Sequence, residues 1–163
     1  MNAFFLIIKY IWFLGVLVGV LNTLQVRHRV TSLIRGHPEW EEESRKVLKN
    51  FFLFYTLPPL FLGLFQLAGG YNNPFYILSS NVDAYVFLSW CVLFLTWAVL
   101  FRWVFFHDGA QTIIKYRLMG PNMPASEPLI KAMLVLMLAA GICALVFGVA
   151  TDMGGAASQI FAE

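Results

Sequence analysis

Apolar residues fall along this chain in four long runs, not in the short alternations of a sheet protein. They occupy residues 3–24, 50–68, 84–106 and 129–150. At about 1.5 Å per helical residue, each run covers the roughly 30 Å hydrocarbon core of a bilayer. The pattern predicts an all-α, polytopic membrane protein: a single four-helix transmembrane bundle with an outer loop at 69–83 and two inner links at 25–49 and 107–128. The first run has no basic segment before it and ends in Arg27-His28-Arg29, without a small-residue cleavage site. It is therefore expected to be a retained span and not a signal peptide.

Both inner links read as helical hairpin extensions. Span one is expected to continue through residues 25–35 and to turn at Gly36-His37-Pro38. Glu39, Glu41, Glu42 and Glu43 then open a helix that runs into span two, with the acidic residues favoured by its N-terminal dipole. Glu41–Arg45 and Glu42–Lys46 are spaced for i,i+4 ion pairs. Antiparallel pairing of the two arms would set Arg35 near Glu39 and Arg29 near Glu42 or Glu43. In the second link a break is expected at Gly109 and a helix stop at Gly120-Pro121. Ser126 and Pro128 are expected to open span four.

Composition and charge support the same architecture. The chain has 163 residues, of which 60% are hydrophobic and 12% charged, against roughly 25% charged in soluble domains. Mean hydropathy is +0.72. Ten of the eleven Lys and Arg lie in or beside the two links expected inside, and none lies in 69–83 or 151–163. Basic residues in short loops stay cytoplasmic, so both termini are expected outside. Lys9 is the exception. It is expected either to snorkel to the outer headgroups or to pair with Asp83 or Asp152. Compact loops and the absence of an Asn-x-Ser/Thr sequon fit a bacterial inner membrane.

Inside the membrane the informative residues are small ones. Gly15, Gly19 and Thr23 form one stripe on span one, and Ala140, Ala144 and Gly148 form another on span four. Such stripes let helices approach closely, within a chain or between chains. Trp90, Phe94, Trp97, Phe101 and Phe105 make an aromatic ridge on span three, suited to seat against small-residue grooves. Pro58 and Pro59 remove backbone donors within span two and predict a hinge. Cys91 and Cys143 are expected reduced and packed as small hydrophobes.

Chemistry is sparse. No Asp or Glu lies in any span, and no nucleophile elbow, phosphate loop or zinc motif is present. His28, His107 and Asp108 fall near the inner face and are weak metal or haem candidates. Neither a cofactor nor a nucleic-acid partner is expected. The reading that remains is a non-enzymatic membrane subunit. Its expected partners are the lipid bilayer and either a second copy or another membrane protein. It would assemble through its small-residue faces and the charged hairpin bearing Arg29, Arg35, Glu39, Glu42, Glu43 and Arg45. The alternative is an oligomeric pore lined by Asn22, Thr56 or Gln66.

Overall fold

The computed structural model describes residues 9–119 and 126–162. Four helices in it are long and apolar enough to cross a membrane. They are α1 (Ile11–Ile34), α2 (Glu41–Ala68), α3 (Ala84–Phe106) and α5 (Glu127–Ala150). A short helix, α4 (Gly109–Lys115), joins α3 towards α5, and α6 (Met153–Ala162) follows α5. Two 3-10 turns, Pro38–Trp40 and Pro74–Leu78, lie between α1 and α2 and between α2 and α3. Among the described residues there is no strand.

The fold has two ends. The basic end holds the α1–α2 turn, α4 and most of the Lys and Arg. The far end holds residues 69–83 and α6. At the basic end α1 runs unbroken to Ile34, and the chain reverses at Gly36 and His37, whose amides donate to Leu33 and Ile34 carbonyls at 3.1 and 2.9 Å.

The α1–α2 pair forms the most extensive contact of the fold. The apolar lipid tails offer no hydrophobic drive here, so the pair must fit by shape. Each helix gives the other a glycine. Gly19 of α1 lies so close to α2 that a methyl group on it would sit 2.8 Å from the Tyr55 carbonyl oxygen. That carbonyl has no helical donor, because residue 59 is proline. In return, Gly63 of α2 leaves the space in which the Trp12 ring of α1 rests. Gly15 faces Pro59 in the same seam. Pro58 and Pro59 lie within the single continuous helix α2.

α2 packs on α3, and α3 on both α4 and α5. The α3–α5 contact differs from the expected register. Trp97 covers Gly141, where a methyl group would lie 2.9 Å from the ring. The inward line of α5 is Ile130, Leu134, Gly141 and Gly148, the last against Leu78. Ala140 and Ala144 lie off that line and are exposed. An almost wholly apolar helix carries little sequence signal for which face turns inward.

α4 holds the basic end together. Val26 and Val30 of α1 are buried with Tyr116 and Leu118, with Val47, Leu48 and Phe51 of α2 packed around them. Val104, Ala110, Ile130 and Leu134 form a neighbouring cluster that joins α3, α4 and α5. Trp103 and Ile113 touch both clusters. Residues 107–119 of the second link are thus folded against all four long helices.

Two backbone devices place α4. Asp108 adopts a left-handed conformation, φ 52°, and separates it from α3. At its other end Arg117 does the same at φ 48°. The Arg117 amide donates to Ile114 O at 3.1 Å and the Leu118 amide to Ile113 O at 3.0 Å. This is a Schellman C-cap, completed by the shared burial of Leu118 and Ile113. The helix therefore stops before the expected Gly120-Pro121, which lies outside the described residues, and the break from α3 falls at Asp108, ahead of Gly109.

Candidate functional site

The basic end carries a fixed polar cluster. Lys115 Nζ donates to Glu43 Oε2 at 2.5 Å and lies 4.5 Å from the centre of the Trp40 ring. Trp40 meets Tyr116 edge-on at 6.4 Å and stacks on His37 at 4.1 Å. The bond to Glu43 raises the Lys115 ammonium above its ordinary value, while burial pushes the Tyr116 phenol up. Arg29 Nη1 donates to the Arg117 carbonyl at 3.0 Å and ties α1 to the end of α4.

These pairings correct the cross-arm expectation. The described residues show no Arg35–Glu39 pair and no bridge from Arg29 to Glu42 or Glu43. Glu39 meets His37 at 3.1 Å, Glu42 meets Lys46 at 2.8 Å, and Glu41 meets Arg45 at 2.7 Å. Each of these three is local. The connection across the fold runs instead through α4, which sequence spacing alone did not show.

The far end is closed by buried polar groups. Gln66 Nε2 donates to Lys9 O at 2.9 Å. The Tyr76 hydroxyl lies 2.9 Å from Leu62 O and 2.7 Å from Ser89 Oγ, and Ser89 also reaches Tyr85 O at 2.7 Å. The two hydroxyl protons fill two of these three contacts at a time, and the Tyr76–Ser89 bond can run in either direction. Trp90 Nε1 donates to Ile77 O at 2.8 Å. Asp83 caps α3 by accepting from the Tyr85 and Val86 amides at 2.9 Å, and it also accepts from the Tyr71 hydroxyl. These bonds, led by Tyr71, hold its carboxyl below the ordinary value. Asp152 accepts from the Ser80 amide at 2.8 Å and is lowered for the same kind of reason. Lys9 therefore pairs with neither aspartate. Its ammonium donates to Asn72 Oδ1 at 3.1 Å.

The remaining candidates fall as follows. Gly15, Gly19 and Gly63 lie in the α1–α2 seam of this chain, and Thr23 donates its hydroxyl to Gly19 O at 2.8 Å. Thr56 and Gln66, two of the lining residues of the alternative pore reading, are buried within the chain. His28 is exposed on α1, and His107 Nδ1 lies 3.3 Å from Arg102 O. Asp108 serves the α3–α4 junction, its carbonyl accepting from the Thr112 amide at 2.9 Å. The described residues hold no group of three or more His, Cys, Asp or Glu placed to bind a metal ion. Cys91 and Cys143 are free and exposed, in place of the packed positions expected of them.

All four spans expose large apolar side chains, and on α5 these flank small residues. Leu136, Met137, Ala140, Cys143, Ala144 and Phe147 of α5 are all exposed. Tyr116, Trp40, Tyr76 and Ser89, which organise the two ends, were not apparent as a set from spacing, because their partners come from distant segments. The architecture is that of a multi-pass membrane protein. No family model, curated protein or solved structure matches the chain.

Proposed function

We propose that this protein is a non-enzymatic membrane subunit that assembles laterally, with a second copy or with another membrane protein, through the exposed face of α5. The observation that carries this reading is the division of the two small-residue stripes. Gly15 and Gly19 are occupied by the chain's own α2, whereas Ala140 and Ala144 are exposed. A small-residue patch flanked by large apolar side chains favours close helix packing in lipid. The basic end, on the positive-inside argument, is the cytoplasmic one, and both termini lie outside. The α4 cluster then presents the hairpin tip to the cytoplasm as a second contact surface.

Cys143 supplies the test, because it lies in the proposed contact patch while Cys91 sits on α3. Mild oxidation of native membranes is expected to crosslink the chain through Cys143, to itself or to one discrete partner. Cys143→Ala should abolish the product and Cys91→Ala should leave it. Crosslinking that depends on Cys91, or none at all, contradicts the reading.

A further inference from the structure

We infer that the outward face of α1 at the basic end binds the phosphate of an anionic phospholipid. Leu24, Arg27, His28, Thr31, Ser32 and Arg35 line an open cavity of about 320 Å³ there. All six are exposed. Their spacing places Arg27, Thr31 and Arg35 on one line and Leu24, His28 and Ser32 on the adjacent one.

Charge is the first argument. Arg45, Lys46, Lys115 and Lys131 each have a carboxylate partner. Among the described residues Arg27 and Arg35 have none; Lys9, Arg29, Lys49, Arg102 and Arg117 have none either, but of these seven only Arg27 and Arg35 line the cavity. A guanidinium fork matches phosphate oxygens in a bidentate geometry. The Thr31 and Ser32 hydroxyls already donate to Arg27 O and Arg29 O, at 2.8 and 2.7 Å. Recognition therefore falls to the two arginines and His28.

Depth is the second. Leu14, Leu17, Val18, Leu21 and Leu24 form an exposed apolar surface leading up to the cavity. At about 1.5 Å per residue, Arg27 lies roughly 5 Å and Arg35 roughly 16 Å beyond Leu24. The headgroup layer is about 5–7 Å thick. With Leu24 at the hydrocarbon edge, Arg27 and His28 stand at phosphate level and Arg35 lies beyond the headgroup layer, its side chain tilted back towards it as helical side chains are, while acyl chains lie along the leucines below. The helix dipole opposes an anion at a C-terminus, but it falls off within the last turn. Arg27 and His28 precede that turn of α1.

The test uses the full chain in nanodiscs of phosphatidylcholine containing phosphatidylglycerol, followed by native mass spectrometry of the lipids retained on extraction. Wild type is expected to retain phosphatidylglycerol in preference to phosphatidylcholine. Arg27→Gln with Arg35→Gln should weaken that preference roughly fivefold for each arginine. Arg45→Gln with Lys46→Gln removes the same charge from cations that are already paired, and should leave it unchanged. Three results would overturn the inference: no preference in wild type, equal loss in both double variants, or displacement of the lipid by inorganic phosphate, which would mark a soluble-anion site. The substituted side chains are exposed, so the unfolding midpoint should not move.

Discussion

Gly19 leaves no room for an added atom in the α1–α2 seam. A methyl group would sit 2.8 Å from the Tyr55 carbonyl oxygen and 3.0 Å from its carbon. Both are backbone atoms and cannot rotate away. Gly19→Ala is expected to destabilise the α1–α2 pair by about 1–3 kcal/mol, the usual cost of overpacking, measured by denaturant titration in mixed micelles. Arg117 shows the opposite case. It occupies a left-handed C-cap position usually taken by glycine, yet its contact with Arg29 uses only its carbonyl. Arg117→Gly keeps that bond and relieves the backbone. The variant is expected to be more stable by about 1 kcal/mol, read in the same titration. A destabilised glycine variant would show that the arginine side chain matters there.

Among the elements, α4 and the 69–83 loop decide how firmly the long helices are held at their ends. Tyr116 is fully buried where α4 meets α1 and α2. Tyr116→Ala should cost about 3 kcal/mol, the lower range for aromatic truncation, and should raise hydrogen exchange across α4 before it does so in α3. The far end depends on two carboxylates. The folded-state values of Asp83 and Asp152 are both depressed. Their stabilising contribution is therefore complete above the unfolded value of about 3.9 and is lost as pH falls below it. Protection of the Tyr85 and Val86 amides, taken relative to their intrinsic exchange rates, should fall in that acid window, and Asp83→Ala should remove most of that fall. Unchanged protection of these two amides in acid would contradict the capping role. The sequence showed these elements unevenly. Run length and hydropathy located all four long helices, and Gly36-His37-Pro38 marked the turn, because those signals are local. The inward face of α5 was not legible, since lipid-facing and protein-facing positions are both apolar. Nor was the Arg29–Arg117 bond, which joins a side chain to a carbonyl that any residue would supply.

For the whole molecule, the arrangement separates two kinds of small-residue surface. The glycines of α1 are spent within the chain, and a bulky residue there would disturb the hairpin before it tested any assembly. The alanines of α5 remain on the outside, beside Cys143. The most direct measurement of the proposed assembly is energy transfer between labelled chains in vesicles across a range of protein-to-lipid ratios. Ala140→Leu with Ala144→Leu should lower transfer between copies, or from the chain to its crosslinked partner, while the unfolding midpoint of the single chain stays unchanged. Undiminished association in that variant, with the fold intact, would contradict the claim that α5 is the assembly face.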